Sequence, residues 1–235
     1  MTAFAKHGLF LRIISALIMM PVVLYAVIYG GWPFLFMVGV AIGISVKEWV
    51  RMAKATLRPF MDGVLGVLYI LACFAAFVYL RDQYANNGAG LTLCLMLCVW
   101  STDIGAYFSG KTIGGPKMAP SISPNKTWAG LIGGVLSSIG LFFLYAFYIG
   151  PYLAQAIWSD LDLPSGFTPA LIAAFGAMIA VSGQIGDLLI SHEKRKVGVK
   201  DTGTLIPGHG GLLDRIDALL LASLVFLIAL KVVGL

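Results

Sequence analysis

The sequence predicts an all-α fold: a polytopic integral membrane bundle of about seven transmembrane helices, with the N-terminus inside and the C-terminus outside. Three observations carry that prediction. Of 235 residues, 59% are hydrophobic and only 11% charged, with a mean hydropathy of +0.91, whereas a soluble domain carries about 25% charged residues. Apolar runs near the roughly 20 residues that cross a bilayer recur along the chain. The basic residues also fall almost entirely on alternate connections.

The first run, residues 9–30, follows Lys6, His7 and Arg12 and has no small-x-small cleavage site before Gly30-Gly31-Trp32. It therefore reads as a retained span rather than a signal peptide. The second, residues 32–50, is cut at its end by Lys47 and Glu48, so an interfacial or re-entrant segment is an alternative there. Residues 61–80, 89–109, 128–150, 168–190 and 212–235 supply the other five. Cys73, Cys94 and Cys98 lie inside apolar runs without metal-type spacing, as packing residues do. The chain divides into an N-terminal region of three spans, 1–88, and a region 89–235 that holds the chemistry.

Short loops rich in Lys and Arg stay on the cytoplasmic side. With the N-terminus inside, Lys6 to Arg12, Lys47 to Arg58, Lys111 to Lys126 and Lys194 to Arg215 share one face, and only Arg81 and Lys231 fall opposite. The segment 151–169 has Asp160 and Asp162 and no base, as an external loop has. The net charge of +5 thus belongs mainly to one membrane face, where it meets anionic lipid. No nucleic-acid partner is expected.

Two cytoplasmic connections are long and dense in Gly, Pro, Lys, Ser and Thr: SGKTIGGPKMAPSISPNKTW (109–128) and SHEKRKVGVKDTGTLIPGHGG (191–211). Exposed backbone N–H groups with hydroxyl and ammonium donors suit an anion, and phosphate is the obvious candidate. Neither loop has a P-loop or Rossmann pattern.

Beside these loops stand acids where hydrocarbon is expected. Asp103 lies in LCLMLCVWSTDIGAYFSG and Asp187 in AVSGQIGDLLIS, while Asp214 and Asp217 open LLDRIDALLL. Ionisable groups at membrane depth are costly and normally face a bundle interior to serve a function. Asp214 and Asp217 share one helix face; Gly183, Asp187 and Ser191 share another. Opposed, the two faces would bring the carboxylates together. An all-oxygen cluster suits Mg2+ or Mn2+. One or two divalent ions, or one divalent ion with a monovalent partner, would neutralise it and bridge a transferring phosphoryl or nucleotidyl group. Asp187 and Asp214 are the preferred ligands; Asp103 and Asp217 are possible additions, Asp217 with a helix cap or a pairing to Arg215 as its alternative.

The run from Ser191 to Asp217, SHEKRKVGVKDTGTLIPGHGGLLDRID, resembles the signature of phosphatidate cytidylyltransferases. GQIGDLLIS, WSTDIGAYFSGKTIGG and SPNKTWAG resemble further elements of that family, so the likeness covers about residues 100–217. Ala129 and Ile190 depart from it, standing where the family commonly has acids.

The resemblance implies a cytidylyl transfer from CTP to phosphatidate, giving CDP-diacylglycerol and pyrophosphate, at the cytoplasmic face of an inner membrane, by a magnesium-dependent homodimer. It supports Asp187 and Asp214 as metal ligands, with Lys200 and Asp201 in the catalytic group. Lys194, Arg195, Lys126, Ser123, Ser191 and Arg215 would bind phosphate, with His209 as a donor rather than a base, because a phosphate nucleophile is already ionised. Pro207, Gly208, Gly210 and Gly211 would let backbone approach phosphate closely.

The competing classes fit less well. A cation- or proton-coupled transporter predicts midplane acids and repeated halves, and neither is visible. The DGxxAR motif of the CDP-alcohol phosphotransferases is absent. A structural protein gives no reason for four acids beside phosphate-like loops.

Overall fold

A computed structural model describes residues 17–82, 87–205 and 210–235. Its elements are α1 (Leu17–Tyr29), α2 (Gly31–Ala53), α3 (Pro59–Asp82), α4 (Gly88–Thr112), β1 (Lys117–Ala119), β2 (Ser123–Thr127), α5 (Trp128–Leu144), α6 (Gly150–Ala156), α7 (Pro169–Lys196) and α8 (Leu213–Val233). Among the described residues, six helices are long and apolar enough to cross a membrane, α5 and α6 counting as one run, Trp128–Ala156. The chain is thus a polytopic helical membrane protein. The second run is a continuous 23-residue helix, α2, and of the first run the described part is α1.

Two local features go beyond the expected spans. The fifth does not stop at residue 150: a π-helical turn, Tyr145–Ile149, carries it into α6. Pro151 lacks an N–H and would clash in a regular helix interior, but at the first turn of α6 it is tolerated, and the widened turn absorbs the misfit. The Tyr145 hydroxyl, fully buried, donates to Leu161 O at 2.8 Å and ties this run to the segment beyond it. The loop 109–128 forms an antiparallel ribbon, β1 with β2, pairing Lys117 with Thr127 and Ala119 with Ser123. Thr127 then caps α5, its hydroxyl accepting from Gly130 N at 3.0 Å.

The bundle forms around α4, α5, α7 and α8, with the α2–α3 pair packed on α8 mainly through α3. Apolar runs alone do not make helices associate in lipid; small residues do, by letting backbones come close. A Cβ on Gly105 of α4 would lie 2.7 Å from Gly133 O of α5, and one on Gly176 of α7 would lie 2.8 Å from the Ile139 Cα of α5. Below these contacts, Phe142, Phe167, Phe175 and Phe226 interlock edge and face at centroid distances of 5.5–6.4 Å. The outward faces, with Trp32, Phe36, Leu65, Ile132 and Leu136 exposed, suit lipid contact.

Candidate active site

Helix α7 presents Gly183, Gly186, Asp187, Ser191 and Lys194 along the side that meets α8. A Cβ on Gly186 would lie 2.6 Å from Asp217 O, whereas one on Gly183 would meet Ala218 at an ordinary 3.6 Å. The missing side chain at residue 186 therefore sets the α7–α8 approach where Asp187 and Asp217 stand.

Asp103, Asp187, Asp201, Asp214 and Asp217 line one cavity of about 580 Å³ with Lys194 and Arg215. All four acids singled out in apolar sequence are thus brought together, with Asp201 from the second loop. Asp103 and Asp187 also border a smaller cavity of about 210 Å³ lined by Asn125, Lys126 and Gln184. Against the large cavity runs an apolar groove of about 480 Å³, which shares Met19, Val23, Met96, Leu212, Ile216 and Leu219 with it.

The carboxylates differ in what they already hold. Asp187 pairs with Lys126 Nζ at 2.6 Å and accepts from Ser191 Oγ at 3.1 Å. Lys126 also donates to Gln184 Oε1 at 2.8 Å, so the ribbon loop is tied to α7. Asp214 was expected to face a metal, yet its oxygens are filled by protein donors. Oδ1 takes Lys194 Nζ at 2.7 Å; Oδ2 takes Thr202 N at 2.8 Å, Thr202 Oγ1 at 3.0 Å and Gly211 N at 3.1 Å. Asp217, expected as a possible additional ligand, is 9% exposed and lines the cavity; among the described residues it has no ion-pair partner, and Ala218 N donates to its Oδ1 at 2.8 Å.

The remaining expected residues spread over this mouth. Arg195 Nε donates to Ile122 O at 3.2 Å, joining α7 to the ribbon loop. Lys200 is exposed, Ser123 is half-buried in β2 and borders none of these three cavities, and Arg215 is exposed at the rim. Gly210 has φ +87°, a conformation that favours glycine. Gly211 does not stand open to a ligand: a Cβ there would run into the Glu48 carboxylate at 2.6 Å and the Thr202 hydroxyl. His209, Pro207 and Gly208 lie outside the described residues. Ile190, where the family commonly has an acid, is 1% exposed within the apolar core.

Glu48 is the residue that sequence reasoning missed. It sits 6% exposed at the end of α2, accepting from Leu212 N at 3.0 Å, Leu213 N at 2.9 Å and Thr202 Oγ1 at 2.9 Å. These amides are among the orphan donors of the α8 N-terminus, which has no side-chain cap of its own. The only sequence signal was an acid interrupting an apolar run.

Among the described residues the donor set is all hard oxygen, without thiol or imidazole, a set that suits magnesium. Among the described residues no three His, Cys, Asp or Glu side chains form a preformed cage. Mg2+ characteristically takes one or two protein carboxylates and completes its shell with water and phosphate oxygens. Five aspartates against two bases also leave the cavity acidic, so an anionic ligand entering it would need added positive charge.

The sequence profile of the Cytidylyltransferase family matches residues 53–233. The phosphatidate cytidylyltransferase of Rickettsia bellii is 36% identical over 219 residues, 93% of this chain and 89% of the relative. That of Rickettsia conorii is 31% identical over 222 residues, 94% and 90% of the two chains. That of Brucella suis is 43% identical over 129 residues, 55% of this chain and 42% of the relative. With the match extending over most of its length, and over the loops and carboxylates that build the cavity, this chain belongs to the cytidylyltransferase family.

Proposed function

We propose that this chain transfers the cytidylyl group of CTP to phosphatidate, releasing pyrophosphate and leaving CDP-diacylglycerol in the membrane, at a magnesium-assisted site on the cytoplasmic face. The observation that carries the reading is the junction of an acid-lined cavity with an apolar groove. Phosphatidate has acyl chains that need hydrocarbon and a phosphate that needs a polar site; the shared wall of Met19, Ile216 and Leu219 lets one molecule occupy both.

An oxygen of the phosphatidate phosphate attacks the α-phosphorus of CTP. A new P–O bond forms, the α–β P–O bond breaks, and pyrophosphate carries away the bonding pair. The nucleophile is already ionised, so no general base is required. The task for the protein is placement and charge. Lys194 and Arg215 border the large cavity and Lys126 the smaller one, so phosphate entering either meets an ammonium or guanidinium. Arg195 and Lys200 extend that basic rim.

Asp187 and Asp217 would hold the magnesium: Asp187 would exchange its one donor per oxygen, Lys126 and Ser191, for the ion, whereas Asp214 carries four donors on its two oxygens. A divalent ion held there would supply the positive charge that a transferring phosphoryl group needs. Asp214 orders Lys194, Thr202 and Gly211, and Asp103 adds charge on the α4 side. With the basic connections cytoplasmic, as the distribution of Lys and Arg supports, the cavity mouth faces the CTP pool.

The test is pyrophosphate release by the protein purified in detergent. Release should require CTP, phosphatidate and Mg2+ together. Asp187→Asn and Asp217→Asn should each lower it by about 10³-fold or more, the scale of losing preorganised charge at a transferring group. Lack of release under varied lipid and metal conditions would refute the activity; near-parental rates in either variant would remove that residue from the metal site.

A further inference from the structure

We propose that Glu48, N-terminal to the stretch 53–233 that the family profile matches and distant in sequence from every signature residue, is a positioning residue for the nucleotide: it staples the two limbs of the loop 191–211 so that the loop's donors meet the CTP phosphates. This inference rests on the reading above that this loop handles those phosphates.

The loop leaves α7 at Lys196 and enters α8 at Leu213. Glu48 grips both limbs at once. Its Oε2 takes the Thr202 hydroxyl from the first limb and Leu213 N from the second, and its Oε1 takes Leu212 N. Arg51, one helical turn further along α2, donates a guanidinium N–H to Thr202 O. Thr202 is fully buried between Glu48 and Asp214, its hydroxyl 2.9 Å from one carboxylate and 3.0 Å from the other. A hydroxyl has one proton to give, so Thr202 links the two carboxylates through a single hydrogen.

The glycines of the loop are fitted to this staple. A Cβ on Gly203 would strike the Glu48 carboxylate, and one on Gly211 would lie 2.6 Å from Glu48 Oε2 and 2.6 Å from Gly203 N. Both limbs therefore close on Glu48 with no space for a side chain. The anchored limbs carry Lys200 and Asp201 on one side and Gly210 on the other, and Asp201 faces the acid-lined cavity. Glu48 borders none of the three cavities described above, so it acts through the loop and not on substrate. Its charge also completes the α8 N-terminus, which a phosphate would otherwise be drawn to fill; substrate is thereby directed to the cavity.

The experiment compares Glu48→Ala, Glu48→Gln, Arg51→Ala and Lys200→Ala by calorimetric CTP binding with Mg2+ and by steady-state kinetics in each substrate. In Glu48→Ala, the Kd and KM for CTP should rise about tenfold or more, the scale of about 1.4 kcal/mol of lost positioning. The KM for phosphatidate should stay within twofold. Glu48→Gln keeps an acceptor oxygen and should recover part of the loss, and Arg51→Ala should shift CTP in the same direction.

A purely structural role would reduce the number of active sites and leave both KM values unchanged, which overturns the proposal. If Glu48→Ala does not fold, Glu48→Gln and Arg51→Ala decide by the same criterion. CTP binding weakened by Lys200→Ala but untouched by the Glu48 and Arg51 variants defeats the staple alone. CTP binding untouched by all four defeats the loop reading as well.

Discussion

Replacing Gly186 by alanine should disable the site without touching a charged group. The new Cβ would lie 2.6 Å from Asp217 O, and ordinary contact begins near 3.4 Å, so α8 must retreat by about 0.8 Å at that residue. The retreat moves Asp217 away from Asp187. Overpacking of this kind costs about 1–3 kcal/mol, offset by the roughly 0.5–1 kcal/mol that alanine gains over glycine within a helix. A net loss between about 0 and 2.5 kcal/mol should leave the protein folded. Activity should suffer more, because a misplacement of about 1 Å in a catalytic constellation costs about 10²-fold. Gly183→Ala is the matched control: it lies on the same face, one turn earlier, and its Cβ would meet Ala218 at 3.6 Å. Pyrophosphate release and thermal unfolding in detergent should show Gly183→Ala within threefold of the parent and Gly186→Ala down by about 10²-fold. Equal behaviour of the two variants would refute the claim that the α7–α8 approach sets the carboxylate geometry.

Three further outcomes follow from the same contacts. Asp214→Asn should unfold at a clearly lower temperature than Asp217→Asn, because breaking the buried Lys194–Asp214 pair costs about 3–5 kcal/mol; the reverse order would show that Asp214 is not the structural one of the two. Lys126→Met should cost only about 1 kcal/mol, since its pair with Asp187 is partly exposed, while kcat/KM falls by about 10²-fold; unchanged kinetics would leave Lys126 a structural tie. Burial pushes the Asp160 carboxyl up, with Arg81 at 3.2 Å pulling the other way. A raised folded value means that its stabilising contribution is present at acid pH and lost as pH rises through that value, so the unfolding temperature of the parent relative to Asp160→Asn should improve as pH falls from neutral toward the ordinary carboxylate range; a relative decline would contradict the shift.

Much of this arrangement was legible in the sequence because it is local. Asp187 with Ser191, and Asp214 with Asp217, are fixed by helical spacing, and an acid inside an apolar run announces itself wherever it falls. The opposition of the two faces stood only as a condition in the sequence; it is the close approach of α8 at Gly186, which no spacing announced, that establishes it. The occupancy of each carboxylate was not legible either. Asp214 and Asp217 look alike in LLDRID, and what separates them is that Thr202 and Gly211 fold back onto one and not the other. Glu48 was hidden for a related reason: its partners, Leu212 and Leu213, lie 164 and 165 positions away, so it read only as a charge cutting the end of the second apolar run. The continuation of α5 into α6 was concealed by Pro151, normally a stop signal, which a π-helical turn accommodates.

The most direct measurement follows the label from CTP carrying a radioactive α-phosphate into the lipid phase when the purified protein is given phosphatidate and Mg2+. The account predicts one labelled CDP-diacylglycerol per pyrophosphate released, with both lost together in Asp187→Asn. Pyrophosphate without labelled lipid, or labelled lipid formed at parental rate by Asp187→Asn, would contradict it.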